Sequence, residues 1–530
     1  YDPAKMEPEI QRHWDSKEIY TKTKSMRQDG PDFYFLDGPP YTTGSIHLGT
    51  AMNKTLKDML IRYWRMNGLN VRDQPGFDMH GLPIEVQVEK EVGVRSKQEI
   101  EEYGIDRFVD ICKKFAMKLH GSMSDQFKQL GVWMDWDNPY LTIKPEYIEA
   151  AWWTIERAHR RDLLVSDDRV LSWCPRCETA LAEAEIEYWD EQDPSIFVKF
   201  PLSDDPRTSV VIWTTTPWTL PANMAVAVHP ALTYAVVDMS DKGRTERFII
   251  AESQIETVAE LAGFDGYEVV STMTGKDLEG RYYNPPFKIG DQHLKHSEWT
   301  HRIVLADYVE DANTGIVHTA PGHGPDDFET GKRYGLQPFC PVDESGRFTS
   351  AVPEYQGRKA RSTNEDILKY LEDRDILLHN HGTDHRYGHC WRCRSSVIFR
   401  NTNQWFIKVD DIKEKMASEV SRVKWSPDWA GSSRQLNWVE GARDWCISRQ
   451  LWWGIPIPIW QCSCGERRVI GTFDQLSEGR GYIEGIDPHR PWIDTITFPC
   501  TRCNGQMHRV QDVLDVWFDS GTTHWHVMRG

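Results

Sequence analysis

Eight of the eleven cysteines in this 530-residue chain stand in four close pairs: Cys174/Cys177, Cys390/Cys393, Cys462/Cys464 and Cys500/Cys503. Two thiolates on one tight turn supply half of a tetrahedral zinc site, so four such turns predict two closed sites. Any fold must then bring turns that are distant in sequence to a shared ion. Disulfides suit small secreted scaffolds, whereas residues 1–20 here are charged and carry no apolar signal core. Redox pairs or plain buried thiols are the blander readings. The spacing does not decide which turn joins which. A site closed by four thiolates has no open position, so the expected zinc is structural.

At roughly 150 residues per domain the length predicts three to four domains. Hydrophobic residues at 39% and charged residues at 27% describe a globular chain rather than a disordered one. Lys and Arg number 62 against 80 Asp and Glu, a net charge of −18. That balance excludes a chain-wide basic surface gripping DNA by bulk charge and leaves room for a local groove. No run approaches the ~18 apolar residues of a membrane span. A cytoplasmic location is expected, and no membrane partner. The first residue is Tyr1, so the natural chain is expected to extend further.

Residues 33–36, Phe-Tyr-Phe-Leu, read as a short buried strand, followed by a Gly/Pro loop over 37–44. Met52, Leu56, Met59, Leu60 and Tyr63 recur at helical spacing and predict an amphipathic helix over 47–66. Asn70-Val71-Arg72 predicts a second strand, and a further helix is expected from about Pro83. Strand, loop, helix, strand is a βαβ unit and predicts a parallel α/β sheet. Ligands of such sheets sit at the carboxyl ends of strands, where Asp37-Gly-Pro-Pro and Asp78 fall. Residues 100–165 read as helical. From about 195 to 350, β-branched runs such as 209–216 and 315–319 predict a separate, mostly β domain. The α/β texture returns after 400.

Gly44-x4-Gly49 begins like a phosphate loop, but Thr50-Ala51 stands where a Walker motif needs Lys-Ser/Thr. The segment instead places His47 and Gly49 at a helix N-terminus, where backbone N–H groups and the helix dipole favour phosphate. Asp37-Gly-Pro-Pro with His47-Leu-Gly49 resembles the "HIGH" signature of the class I aminoacyl-tRNA synthetases. Asp73-Gln-Pro-Gly-Phe-Asp78-Met-His-Gly-Leu-Pro-Ile-Glu85 looks like the amino-acid-binding segment of that family's isoleucyl branch. Thr214-Thr-Thr-Pro-Trp218-Thr-Leu-Pro-Ala-Asn223 and 315–327, ending in Asp327, resemble the two halves of its editing pocket. Ala442-Arg-Asp-Trp-Cys-Ile-Ser-Arg449 and Asp515-Val-Trp517-Phe-Asp-Ser-Gly521 resemble its second Rossmann half. The likeness runs from 1 to 530, with the flavour of the archaeal and eukaryotic-like branch.

The resemblance implies an α/β fold: a class I Rossmann-type catalytic domain split by a large β-rich editing domain, with two small zinc modules. The implied boundaries are a first Rossmann half at 1–165, a knuckle and connection at 166–194 and an editing domain at 195–380. A second knuckle at 381–400 and a second Rossmann half at 401–530, containing a zinc module at 460–505, complete the set. It implies His47, Gly49 and Thr50 on ATP, with magnesium. It implies Asp78 on the substrate ammonium, with Pro39 and Trp517 lining the side-chain pocket. In editing it implies Thr214, Thr215 and Thr216 on the terminal adenosine and a water, His318 as the wall of the side-chain slot, Trp218 and Asn223 as shaping residues, and Asp327 on the ammonium. It joins Cys174/Cys177 to Cys390/Cys393 and Cys462/Cys464 to Cys500/Cys503 through two zinc ions. Isoleucine, ATP and tRNA(Ile) are the implied partners of a monomeric ligase that clears misattached valine. Thr50 departs from the signature, which has a second histidine there. The family's Lys-Met-Ser-Lys-Ser motif and helical anticodon-binding domain are not in these 530 residues. A stand-alone aminoacyl-tRNA deacylase and a non-catalytic zinc-ribbon RNA-binding module are the competing readings. The His47-Leu-Gly49 and Asp78 segments favour the ligase over both.

Overall fold

The computed structural model describes residues 2–295 and 297–529. The chain forms two compact units: Tyr1–Ser166 with Trp405–Gly530, and Asp167–Gln404.

In the first unit, β1 (Asp32–Tyr34), α1 (Leu48–Met66) and β2 (Asn70–Arg72) make the predicted βαβ turn, with β1 and β2 parallel and Phe33 opposite Val71. Two features of this turn differ from the sequence expectation. The run 33–36 is not a buried strand: Tyr34 and Leu36 are exposed. Among the described strands β1 pairs only with β2, so it behaves as an edge strand whose alternate side chains face outward. The apolar stripe of α1 is also turned the other way. Met52, Leu56, Met59, Leu60 and Tyr63 are exposed, while Lys54, Ile61 and Arg65 are buried. Ion pairs explain the inversion, because a buried charge needs a partner. Lys54 pairs with Asp37, Lys57 Nζ lies 2.6 Å from Asp37 Oδ1, and Arg65 Nη2 lies 2.6 Å from Asp73 Oδ2.

Beyond β2, the chain forms α2 (Leu82–Val92) and long helices at Ile105–Gln129 and Pro145–His159. The stretch 130–144, expected to be helical, is loop around a short strand at Tyr140–Leu141. That strand pairs in parallel with Gly76–Phe77, just before Asp78. Phe77, Ile84, Val88, Phe108, Val109 and Phe127 pack as one core beneath it.

The second unit is built on a nine-stranded sheet. Its strands are β3 (Ile186–Pro201), β4 (Thr208–Thr214), β5 (Ala225–Val228), β6 (Thr233–Asp241), β7 (Arg244–Ala251), β8 (Gly266–Thr274), β9 (Arg302–Leu305), β10 (Ile316–Thr319) and β11 (Leu377–Cys390). The order runs β8-β6-β7-β4-β10-β5-β9, with β3 on β4 and β11 on β3. Phe197, Val211, Val237, Phe248 and Ile250 face helix Ile255–Ala262 in its core, the alternation expected of half-buried strands. Helix α3 (Pro325–Arg333) follows β10. In the returning part of the first unit, Ser448–Arg449 pairs antiparallel with Val513–Leu514. Helix α4 (Val516–Gly521) starts at the Asp515 cap, whose carboxylate accepts the Trp517 N–H at 3.1 Å.

Candidate functional site

Asp78 lies where the loop after β1 meets the chain after β2. Its N–H donates to Pro40 O at 2.9 Å, and its carbonyl accepts from Thr42 N at 3.0 Å. Pro39, Pro40 and Tyr41 are thereby laid alongside it. Tyr41 meets the Trp517 ring edge-on, centroids 6.2 Å apart. Trp517 is 37% exposed, so it is not core. The Asp78 side chain is buried, and its Oδ1 has no hydrogen-bond partner. Burial, then repulsion from Asp519, raises its pKa well above the usual carboxylate range. Pro39, Asp78 and Trp517 therefore share one corner, with one buried acceptor left open.

The motif around Asp78 is pinned from two sides. Gly81 has φ +82°, and a Cβ there would stand 2.8 Å from Val516 Cβ, so only glycine fits between α2 and α4. Glu85 Oε2 accepts the N–H groups of Trp452 and Trp453 at 3.0 and 2.9 Å, and burial pushes its pKa up to about 7. Asp515 Oδ2 accepts from Arg449 Nη2 at 2.9 Å and Trp445 Nε1 at 3.0 Å, joining the segments around 445 and 515.

His47 caps α1. Its Nδ1 accepts the Thr50 N–H at 3.3 Å, and Thr50 Oγ1 lies 3.0 Å from its Nε2. A Cβ on Gly49 would press on the His47 ring at 3.1 Å. His47 and Gly49 are exposed, and Thr50 is half-buried. These three therefore surround a helix N-terminus open to solvent, a setting that suits phosphate. Asp37, by contrast, is wholly buried between Lys54 and Lys57 and is a structural anchor.

In the second unit, β4 and β10 run side by side, with Val317 beside Trp213. Thr216 donates its N–H to Thr214 Oγ1 at 3.1 Å, and Thr219 donates its hydroxyl to Thr216 O at 2.8 Å. The Thr219 oxygen then accepts from His318 Nε2 at 3.0 Å, which fixes the His318 tautomer. Burial, with His323 second, pushes the His318 pKa down to about 4, so the ring is neutral. Thr215 is half-buried. Trp218 is buried with its ring 5.0 Å from His323. Asn223 points elsewhere: it accepts from Tyr283 Oη at 2.6 Å and donates to Ala225 O at 2.8 Å. Asp327, on α3, accepts from Tyr308 Oη at 2.8 Å and from Ala320 N, two residues past His318, at 2.9 Å. Burial raises its pKa. The structure brings Thr214, Thr216 and His318 into one network through Thr219, ties Asp327 to the strand carrying His318, and leaves Asn223 in the packing beneath.

The cysteine pairs converge in two groups, Cys174/Cys177/Cys390/Cys393 and Cys462/Cys464/Cys500/Cys503, all sulfurs of a group within 4.8 Å of one another. Sγ separations of 3.4 Å for Cys174–Cys393 and Cys462–Cys503, and 3.6 Å for Cys464–Cys500, are close to the roughly 3.8 Å that tetrahedral Zn–S bonds impose. The residue after each pair, Glu178, Arg394, Gly465 or Asn504, has positive φ. Each turn therefore closes through the left-handed region, which glycine and asparagine adopt cheaply and glutamate and arginine do not. Both donor sets fit zinc.

The sequence matches the family described as tRNA synthetases class I (I, L, M and V) over residues 9–529. The chain belongs to the class I tRNA synthetases. It is 51% identical over 526 residues to an isoleucine–tRNA ligase of Archaeoglobus fulgidus, covering 99% of this chain and 51% of that one. It is equally 51% identical over 526 residues to one of Methanoculleus marisnigri, covering 99% and 49%. The chain thus spans about half the length of the curated relatives it matches. A leucyl-tRNA synthetase of Agrobacterium radiobacter K84, solved in a ternary complex, is similar at TM-score 0.40 and 18% identity over 98% of this chain and 58% of that one.

No motif in the sequence singles out Lys54, Lys57, Arg449, His80, His489 or Asp519. His80 and Asp519 lie inside the 73–85 and 515–521 motifs, where residue type alone does not set them apart from Asp78 and Trp517. His489 stands in Asp487-Pro-His489, which carries no motif, and only the fold brings it to His80.

Proposed function

We propose that this chain carries the isoleucine-activating and editing parts of an isoleucyl-tRNA synthetase. The observation that carries this reading is the open Oδ1 acceptor of buried Asp78, set in the Pro39/Trp517 corner. A substrate ammonium there would complete the carboxylate, and the apolar Pro39 and Trp517 would take the side chain. The names of the 51%-identical relatives point to isoleucine as the side chain. Held this way, the isoleucine carboxylate attacks the α-phosphorus of ATP in line and pyrophosphate leaves with magnesium. The hydroxyl of the terminal tRNA(Ile) ribose then attacks the carbonyl of the isoleucyl-adenylate, and AMP leaves. His47, Thr50 and the N–H groups at the start of α1 hold phosphate oxygens. The chemistry needs positioning and charge neutralisation more than a nucleophilic side chain.

A pocket that fits isoleucine cannot strongly reject valine, because one methylene is worth only ~1–3 kcal/mol, a limit for which isoleucyl-tRNA synthetases are themselves the standard illustration. The second unit supplies the correction. Asp327 holds the ammonium of a valyl ester, Thr214, Thr215 and Thr216 meet the terminal adenosine and a water, and His318 walls the slot, with Trp218 shaping the floor and Asn223 supporting it from the packing beneath. The two cysteine groups hold structural zinc, which clamps the turns and takes no part in either reaction. The protein acts as a cytoplasmic monomer, and no described helix is long and apolar enough to cross a membrane.

Isoleucine-dependent exchange of labelled pyrophosphate into ATP tests the reading, run beside valine and leucine. Exchange with isoleucine and weaker exchange with valine is expected. Hydrolysis of valyl-tRNA with neither exchange nor isoleucine binding at the Asp78 corner would favour the deacylase instead. Metal analysis should return about two zinc ions per chain, one for each closed site, and a folded, metal-free chain would remove the zinc assignment.

A further inference from the structure

A buried line of hydrogen bonds leads away from the Asp78 corner and has no role so far. Asp519 Oδ2 lies 2.7 Å from His80 Nδ1, and His80 Nε2 lies 2.8 Å from His489 Nε2. His489 Nδ1 lies 2.5 Å from Asp487 Oδ1, and Lys113 Nζ donates to Asp487 Oδ2 at 2.8 Å. Asp519, His80 and His489 are fully buried. The side chains of Asp487 and Lys113 reach the surface, 24% and 42% exposed. Trp453 is stacked on His489 with centroids 4.7 Å apart, a neutral wall.

Each of the three inner contacts joins two electronegative atoms and needs one proton. Two neutral imidazoles supply two. The third either sits on Asp519 as a carboxylic acid or turns one histidine into a cation. Asp487 sets the direction. Burial pushes its pKa up, but the His489 hydrogen bond and charge pull it well below the usual range, so Asp487 accepts. His489 therefore gives Nδ1–H to Asp487, His80 gives Nε2–H to His489, and Asp519 gives its O–H to His80 Nδ1. Burial lowers the pKa of His80 to about 3 and of His489 to about 4 and raises that of Asp519, all in the sense of this arrangement. The charged groups facing Asp519 are Asp78 and Asp515, the latter already paired with Arg449; Tyr147 Oη donates to its backbone carbonyl.

A second arrangement needs only two short proton moves. The Asp519 proton passes to His80 Nδ1, and the His80 Nε2 proton passes to His489 Nε2. Asp519 is then a carboxylate, His80 is neutral in its other tautomer, and His489 is an imidazolium against Asp487. No proton enters or leaves. Asp519 Oδ1, like Asp78 Oδ1, is a buried oxygen with no hydrogen-bond partner. Two buried carboxylates without a cation are costly, so the free protein keeps one as the acid. An arriving ammonium supplies the missing cation.

We propose that Asp519 is a second carboxylate for the substrate ammonium beside Asp78, neutral in the free protein and ionised on binding by moving protons along His80 and His489 toward Asp487. His80, His489 and Asp487 are then positioning residues. The inference rests on the reading of the Asp78 corner as the amino-acid site.

Infrared difference spectroscopy on this protein tests it. The free protein should show a carboxylic-acid C=O stretch that Asp519→Asn removes, and isoleucine should abolish that band. Asn still donates to His80 Nδ1, so Asp519→Asn should fold, and its isoleucine affinity should fall about 10- to 100-fold. Asp487→Asn, at the surface end of the line, should leave the acid band in place when isoleucine binds and weaken binding about 10-fold. A merely structural line would not transmit that change. A free protein without an Asp519-dependent acid band would overturn the proposal, as would a band that survives isoleucine binding in the wild type. If a different amino acid binds and discharges the band, the isoleucine assignment falls while the proton line stands.

Discussion

Asp78 and Asp327 are given the same task, holding an ammonium, yet they are wired differently. Asp78 is wholly buried with one oxygen that nothing in the chain satisfies. Asp327 is half-buried, and both of its oxygens already accept, from Tyr308 Oη and Ala320 N. Their neighbouring histidines differ in the same way. His80 lies between a carboxyl group and a second histidine, whereas His318 donates to a neutral hydroxyl. On the proposed function, the first site needs its ligand to complete it, and the second is complete without one. Binding at Asp78 should therefore depend on the carboxylate more steeply, and stability at Asp327 should.

The largest expected effect follows at Asp78. Asp78→Ala removes the partner of a buried ammonium, which costs about 3–5 kcal/mol, or roughly 10² to 4 × 10³ in isoleucine affinity. Calorimetry with isoleucine reads it, and unchanged affinity would return Asp78 to a backbone-shaping role. The free protein should lose less stability than at Asp327, because of the two backbone N–H groups that meet the Asp78 carboxylate, those of His80 and Met79, the second keeps Thr142 Oγ1 as an acceptor at 3.0 Å. Asp327→Ala should cut deacylation of valyl-tRNA by at least about 10²-fold through lost positioning. Here the free protein should also lose about 1–3 kcal/mol, since the Tyr308 hydroxyl and the Ala320 N–H lose their acceptor. Urea melts of the two variants side by side would break the comparison if Asp78→Ala were the less stable.

Much of the second unit was legible, because β-branched runs at 209–216 and 315–319 report strands by composition alone. The cysteine turns were legible because chemistry fixes their spacing. The inward face of α1 was not. Its apolar residues form a regular stripe, but the face that packs is chosen by Lys54, Lys57 and Arg65 meeting Asp37 and Asp73. Hydrophobic periodicity cannot see a face buried by ion pairs. The acceptor corner was half legible: Asp78 came from its motif, but the link from His80 to His489 spans over 400 residues. Only the fold supplies such a contact.

The smallest expected effect concerns His318 and acid. Its folded-state pKa is down at about 4 against an ordinary value of 6.5, because burial disfavours the imidazolium. Between those values the unfolded chain binds the proton and the folded one does not, so stability rises with pH across that window and is lost as pH falls through it. Between pH 7 and pH 5 this one ring should remove about 2 kcal/mol. Asp327 acts in the opposite sense: its raised pKa contributes stability at low pH that disappears as pH rises. His318→Gln keeps a side-chain N–H for Thr219 and cannot titrate, so it should flatten the acid limb of the second unit's unfolding. The first unit, with His80 and His489 also held neutral, should keep its own acid limb in that variant. Urea melts at pH 5 and 7, followed by probes placed separately in each unit, would decide it. Equal slopes in wild type and His318→Gln would mean that His318 is protonated in the folded state, and that the threonine network around it turns its acceptors toward a cation.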